Sequence, residues 1–297
     1  MVAGLKKIKC GKIYEDVDLE KITSYKLKGK AKCLVIPNDI KNLIKLFTYI
    51  KKNNLKYKII GGGSNLIFDG DYDGILIRLD KFDDLKIEDT KIIVGSGYNL
   101  MKLALKTARL GLTGMEFATG IPGTVGGAIV NNSGAYKSDM GYITTNVTVL
   151  TDDLKIITLT NSEMDFHYRS SYLQKHKDYI CLEAVLKLTK GDRKETEEIT
   201  KERRERRMES QPLEYPSAGS VFRNPEGMYA GKLIEDLGLK GLTKGGAEVS
   251  LKHANFVINK DGATAKDIHD LIVFVHDAVL DRYGVDLKIE QEFVNWE

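Results

Sequence analysis

The chain reads as an α+β protein of more than one domain, and three observations carry that reading. Residues 180–188 alternate strictly, with Ile180, Leu182, Ala184, Leu186 and Leu188 sharing the period of a half-buried strand. Residues 264–283 instead place Ile268, Leu271, Ile272, Val275 and Val279 at helical spacing. With 297 residues, 42% hydrophobic and 29% charged, the chain has the composition of a soluble globular protein and is too long for one ordinary core, which suits two or three domains.

Residues 1–12 carry lysines but no apolar stretch of signal-peptide length, and no later run approaches a membrane span, so the expected location is the cytoplasm. Residues 13–36 read as short extended pieces ending in Leu34-Val35-Ile36. Pro37-Asn38 then opens a helix, with Asn38 as N-cap and Ile40, Leu43, Ile44, Phe47 and Ile50 on its buried face. Lys58-Ile59-Ile60 is a strand that runs into Gly61-Gly62-Gly63-Ser64-Asn65, and another strand is expected over residues 75–79. Successive glycines after a strand permit a backbone whose N–H groups turn toward one anion, with Ser64 and Asn65 as further donors; the plainer alternative is a loose turn.

Ile92-Ile93-Val94-Gly95-Ser96-Gly97 leads toward a helix at Leu100 and imitates the start of a dinucleotide-binding fingerprint. Leu100 stands where the third glycine belongs and no acidic strand end follows at the expected distance, so this fingerprint is discounted, and no Walker A loop is present either. A denser run, Ala118-Thr119-Gly120-Ile121-Pro122-Gly123-Thr124-Val125-Gly126-Gly127-Ala128, continues through Asn131-Asn132-Ser133-Gly134-Ala135-Tyr136. It holds too little charge for a solvated linker and suits a backbone pressed against a large flat or phosphorylated ligand. Strands follow at residues 147–150, 155–159 and 180–188, with Phe166-His167-Tyr168-Arg169-Ser170-Ser171-Tyr172 between them.

Residues 192–209 are almost wholly charged. Lys201-Glu202-Arg203-Arg204-Glu205-Arg206-Arg207 tempts a nucleic-acid reading, but mixed signs at three- and four-residue spacing describe a solvent-exposed helix between domains. A net charge of +3 also argues against a nucleic-acid binder. Cys10, Cys33 and Cys181 are odd in number and far apart, and the five histidines show no paired spacing, so neither a disulfide framework nor a metal site is expected.

Ala218-Gly219-Ser220-Val221-Phe222-Arg223-Asn224-Pro225 packs a hydroxyl, a guanidinium and an amide into eight positions. Glycine before the serine admits a close ligand, and the proline ends the extended run. A short helix near residues 230–237, a strand over residues 255–259 and a helix begun by Thr264, with Asp267 three on and Gly284 as its stop, come next. A last strand over residues 285–293 carries Glu290 and Glu292, which would share a face.

Together these residues resemble the UDP-N-acetylenolpyruvoylglucosamine reductase family, flavoenzymes that complete UDP-N-acetylmuramate for bacterial cell walls. The likeness covers nearly the whole chain. It rests on residues 61–65, 120–127 and 132–136, on Tyr168-Arg169-Ser170-Ser171, on Gln211-Pro212, and on residues 216–225. Ala230-Gly231-Lys232-Leu233-Ile234, Gly245-Gly246-Ala247 and His253-Ala254-Asn255-Phe256 extend it, and the compact length is similar to the shorter type II form.

This resemblance implies a two-subdomain FAD-binding fold of the vanillyl-alcohol-oxidase (PCMH) type, residues 1–78 and 79–209, followed by an α+β substrate-binding domain, residues 210–297. It implies FAD held by Gly61, Gly62, Gly63, Ser64, Asn65, Gly120, Ile121, Pro122, Gly123, Thr124, Gly126, Gly127, Asn132, Gly134, Ala135 and Tyr136, with NADPH as reductant. Arg169 matches the cation that stabilises the enolate, Ser220 the proton donor, and Glu290 a second acid or electrostatic partner, Glu292 being the alternative. Arg223, Asn224 and Lys232 are the candidates for the UDP diphosphate. No metal, membrane, nucleic acid or protein partner is implied.

Three departures accompany the likeness. Lys28 and Lys137 stand where glycines are usual, and Glu290-Gln291-Glu292 replaces Glu-Val-Arg. Two rival readings share these residues. A different oxidase on the same flavin scaffold leaves Arg169, Ser220 and the glutamate without a joint purpose, and a non-catalytic binding module rests on the basic run alone.

Overall fold

Residues 1–296 are described by the computed structural model, in which the chain forms two units. The first comprises Met1–Glu15, Cys33–Gly62 and Gly74–Arg206. Its five-stranded sheet runs in the order Ile156–Thr160, Thr144–Leu150, Ile180–Lys187, Lys91–Gly95, Leu85–Glu88, with every neighbour antiparallel. The helices Leu100–Arg109 and Val125–Val130 bury Leu100, Leu103, Val125 and Ile129 in one core with Val94, Val147, Ala184 and Leu186 of this sheet.

The alternation of residues 180–188 does not lie on one face. Thr148 pairs with Glu183 but Val149 pairs with Cys181, so Leu182 is an extra residue, a β-bulge. One extra residue reverses the parity of the strand. Ile180 and Leu182 therefore enter a second core, while Cys181, Ala184 and Leu186 enter the first.

That second core lies under a four-stranded sheet, ordered Gly11–Asp18, Lys30–Pro37, Tyr72–Ile77, Tyr57–Ile59. The last two strands run parallel, Tyr57 opposite Ile75. Helix Ile40–Lys52 covers this core with Leu43, Leu46, Phe47 and Ile50. Its cap is Asp39 rather than Asn38: the Asp39 carboxylate accepts from the Asn42 N–H at 2.8 Å.

The second unit comprises Asp16–Lys32, Gly63–Asp73 and the chain from Arg207 on. Thr243–Lys244, Ala247–Val249 and Val257–Asn259 form an antiparallel sheet that packs with helix Ala265–Tyr283 through Ala247, Val249, Ile268 and Ile272. The expected apolar face of that helix is buried, and both its end signals act. The Thr264 hydroxyl accepts from the Asp267 N–H at 3.1 Å, the Asp267 carboxylate accepts from the Thr264 N–H at 2.9 Å, and Gly284 closes the helix at φ 68°. The tight turn at Gly245-Gly246 has its own reason: a Cβ on Gly245 would fall 2.3 Å from the Asp267 carboxylate.

A second pairing in this unit is parallel, Glu292–Val294 beside Leu66–Phe68. The expected strand over residues 285–293 is thus confined to its end. Leu287 is buried and Val285 and Ile289 pack against the same core, so extended chain alone produces the two-residue period there. Among the described residues, no helix is long and apolar enough to cross a membrane, and no cluster of three metal-ligating side chains occurs.

Two outcomes follow from this packing. Thr264→Ala removes half of the capping box and is expected to lower stability by about 1 kcal/mol, read as a reduced midpoint in denaturant. Cys10, Cys33 and Cys181 are buried, and burial pushes the Cys181 thiol up to about 12. The native protein should therefore resist a thiol reagent near neutral pH, and all three cysteines should react once it is unfolded.

Candidate active site

In the first unit the glycine loops pack directly on each other. A Cβ on Gly62 would come within 2.9 Å of the Gly123 Cα, and one on Gly61 within 2.8 Å of the Thr124 hydroxyl. Thr124 caps helix Val125–Val130, its hydroxyl accepting from the Gly127 N–H at 3.3 Å. Behind them stands the segment that imitates a dinucleotide fingerprint. The Gly126 N–H donates to the Ser96 carbonyl at 2.8 Å, and a Cβ on Gly95 or Gly97 would strike the Phe82 or Leu79 carbonyl oxygen at 2.1 or 2.0 Å. Those glycines serve close packing.

The fit to a flavin dinucleotide can be tested on the backbone donors. Among the described residues, the N–H groups of Gly61, Gly62, Gly123 and Thr124 in the first unit meet no backbone acceptor. Successive unpaired N–H groups are what a pyrophosphate requires. Gly61 and Gly62 belong to the first unit, and Gly63, Ser64 and Asn65 to the second.

Asn132, Gly134, Ala135, Tyr136 and Arg169 are brought together within the first unit. Asn132, 2% exposed and at φ 41°, donates to the His167 carbonyl and accepts from the Gly141 N–H, each at 2.8 Å. It ties down the turn in which His167 and Ser170 exchange backbone hydrogen bonds around Tyr168 and Arg169. Arg169 takes φ 54°, and its Nη2 donates to the Gly134 carbonyl at 2.7 Å. A bulky residue adopts that left-handed conformation only at a cost. Gly134–Ala135 and Ser138–Asp139 form a hairpin whose turn is Tyr136 at φ 54° and Lys137 at φ 61°. Lys137 thus takes a glycine-favoured conformation, whereas Lys28 is not among the left-handed residues, so its backbone requires no glycine. Arg203 covers the Tyr136 ring at 4.8 Å and its carbonyl accepts from the Tyr136 hydroxyl at 3.3 Å.

Sequence reasoning passed over Asp139. Its carboxyl is raised by burial, against which hydrogen bonds from the Tyr142 and Gly141 N–H groups and the nearby Arg169 charge pull downward. A Cβ on Gly134 would lie 2.4 Å from the Asp139 Cβ. Nothing in the residue pattern marked Asp139, because its proximity to Arg169 arises from two separate turns.

In the second unit, residues 219–223 are held from both sides. The Val221 N–H donates to the Asn255 carbonyl at 2.9 Å, and the Asn255 side chain exchanges hydrogen bonds with the Phe222 backbone at 2.9 and 2.8 Å. Opposite, the Arg223 N–H donates to the Lys288 carbonyl and the Glu290 N–H to the Val221 carbonyl, each at 2.8 Å. Ser220 immediately precedes these anchors and is half-buried. Asn255 was legible only as part of a motif, its clamping role only from the fold.

Glu290 and Glu292 do not share one strand face. Glu290 pairs through its backbone with the segment bearing Ser220, while the Glu292 N–H donates to the Asn65 carbonyl at 2.9 Å and Glu292 lies opposite Leu66. The Asn65 amide also donates to the Glu290 carbonyl at 3.1 Å. Gly63 is doubly constrained, with φ 64° and a Cβ position 2.1 Å from the Ile22 carbonyl oxygen. Of the diphosphate candidates, Arg223 has a buried Nε that meets no partner among the described residues, an N–H available to an anion. The Asn224 side chain accepts from the Ala230 N–H at 3.1 Å and so holds the start of helix Ala230–Asp236. Lys232 is exposed and pairs with Asp236.

Residues 31–160 match the family described as an FAD binding domain, and residues 211–294 match the C-terminal domain of UDP-N-acetylenolpyruvoylglucosamine reductase. A UDP-N-acetylenolpyruvoylglucosamine reductase from Anoxybacillus flavithermus is 46% identical over 286 residues, 96% of this chain and 95% of its own. The crystal structure of UDP-N-acetylenolpyruvylglucosamine reductase from Thermus caldophilus matches at TM-score 0.79 and 31% identity, over 95% of this chain and 98% of that one. A chitooligosaccharide oxidase at 16% identity and TM-score 0.51, over 63% and 43% of the two chains, shares the fold alone. The chain, an α+β protein with an FAD-binding fold of the vanillyl-alcohol-oxidase type, belongs to the UDP-N-acetylenolpyruvoylglucosamine reductase family.

Proposed function

We propose that this protein reduces the enolpyruvyl group of UDP-N-acetylglucosamine enolpyruvate to UDP-N-acetylmuramate in peptidoglycan synthesis, with FAD bound and NADPH as reductant. The observation that carries the assignment of roles is the clamp on residues 219–223, which sets the Glu290 backbone against the segment bearing Ser220. The proposed working division is two flavin-holding subdomains, residues 1–78 and 79–209, and a substrate domain, residues 210–297, acting in the cytoplasm.

The reaction adds a hydride to the terminal carbon of the double bond and a proton to the carbon that bears the carboxylate. FAD, reduced by NADPH, supplies the hydride when bound. Gly61, Gly62, Gly123 and Thr124 would hold its pyrophosphate through backbone N–H groups, with Gly120, Ile121, Pro122, Gly126 and Gly127 beside them, and Gly63, Ser64 and Asn65 are further proposed cofactor contacts. Asn132, Gly134, Ala135 and Tyr136 would line the same cofactor. Hydride addition leaves an enolate, and a guanidinium already fixed in place stabilises that charge more than it stabilises the substrate. Arg169 is suited to this, since its bond to the Gly134 carbonyl holds it before substrate arrives.

Ser220 gives the proton. A serine hydroxyl is a feeble acid in water, but an enolate carbon is a strong acceptor, and a held donor avoids recruiting water. Glu290 acts as the second acid or electrostatic partner, and its pairing with Val221 favours it over Glu292. Arg223 offers its buried, unpartnered N–H to the UDP diphosphate, with Asn224 and Lys232 as further donors.

Anaerobic stopped-flow measurements separate the two halves of the reaction. NADPH should bleach the bound flavin, and the enolpyruvyl UDP-sugar should restore its colour; failure to restore it would rule out the proposed activity. Ser220→Ala should leave bleaching within about twofold and slow recolouring by roughly 10²- to 10⁴-fold. An equal loss in both halves would count against proton donation. Arg169→Lys keeps the charge but not the fork, and should slow recolouring roughly 10- to 100-fold at little cost in substrate affinity. An unchanged rate with weakened affinity would make Arg169 a binding residue instead.

A further inference from the structure

We infer that Gln291 is a positioning residue for Ser220, acting through a hydrogen-bond relay that runs from Tyr25 to the Gly219 carbonyl. The inference rests on the reading of Ser220 as proton donor. Gln291 is 4% exposed and Tyr25 is fully buried. Gln291 Nε2 donates to the Gly219 carbonyl at 3.1 Å, and its Oε1 faces the Tyr25 hydroxyl at 3.2 Å. A carbonyl can only accept, so the contact with Gly219 decides which end of the amide is which. The oxygen must then face Tyr25, whose single proton is shared between Gln291 and the Val257 carbonyl at 3.0 Å.

A buried amide is retained at little cost only when both ends are bonded, and here both are. What the relay holds is the residue just before the hydroxyl. Gly219 takes φ 77°, yet a Cβ there would meet nothing within 4 Å, so glycine is needed for its backbone conformation and not for space. A permissive residue leaves the direction of the next side chain open unless its peptide is anchored. Asn255 and Glu290 anchor the chain after Ser220 through Val221, and Gln291 anchors it before Ser220 through Gly219. Burial also raises the Tyr25 phenol, keeping it a donor across the working pH range.

Gln291→Met preserves length and apolar packing while removing both bonds. It should slow recolouring of the reduced flavin by the enolpyruvyl UDP-sugar about 10- to 100-fold, the size expected of a small misplacement, and leave bleaching by NADPH and half-saturating substrate within about twofold. Tyr25→Phe, which leaves residue 291 untouched, should give the same pattern at about three- to tenfold. In a Ser220→Ala background neither change should slow recolouring further, because both act through that hydroxyl. Val279→Ala, in the same core, serves as a variant of lowered melting temperature and should recolour normally. The inference is overturned if Gln291→Met and Tyr25→Phe recolour at the parental rate, if their losses multiply with that of Ser220→Ala, or if the Val279→Ala control slows equally. A parental rate for Ser220→Ala itself would instead remove the proton-donor reading, and the inference with it.

Discussion

Buried side-chain amides, more than a strand ladder, hold the segment of the second unit that bears Ser220. Residues 219–223 form a single isolated bridge with the C-terminal segment, Phe222 opposite Ile289, so a sheet contributes little to their rigidity. Asn255 and Gln291 replace it. Both are 4% exposed, and both bond backbone groups of this segment. A low-dielectric surrounding strengthens these bonds and makes any unmade one costly, which is how a non-repetitive segment acquires one conformation. Asn65 extends the scheme to the carbonyl of Glu290 and the N–H of Glu292.

The first unit reaches a comparable result with strained backbone. Asn132, Tyr136, Lys137 and Arg169 all lie in the left-handed region, where non-glycine residues cost on the order of 1–3 kcal/mol each. The neighbouring hydrogen bonds are what over-determine them. Asn132 bonds both the Arg169 turn and the Gly141 backbone, Arg169 bonds Gly134, and Arg203 covers Tyr136. Such clustering of strain around one arginine is characteristic of a site that must be in place before its ligand arrives. The exposed helix Arg193–Ser210 owes its other face to ion pairs of its own, Arg193 with Glu197 and Lys201 with Glu205.

Local features were legible wherever the physics is local. The helix from Thr264 to Gly284 followed from periodicity, a capping box and a left-handed stop, each read within a few residues. Exchange of Asn38 for Asp39 as the cap of the helix that follows is a slip of one place between equivalent acceptors. The β-bulge at Leu182 was invisible, since an unbroken apolar alternation looks the same whether it serves one core or two. Alternation in residues 285–289 misled for the related reason that burying an extended chain needs no ladder.

By itself, the sequence determined which residues are candidates for the site: the glycine runs, Arg169, Ser220 and a C-terminal glutamate stand out because close approach, fixed charge and a transferable proton demand those residue types. Tertiary structure alone decided how they are held. It separated Glu290 from Glu292 by giving their backbone N–H groups different partners, paired Arg169 with Gly134, and turned Gln291 into an anchor for Gly219. The reason is physical: residue chemistry is written at each position, whereas hydrogen-bond partners more than thirty residues apart exist only once the chain has folded.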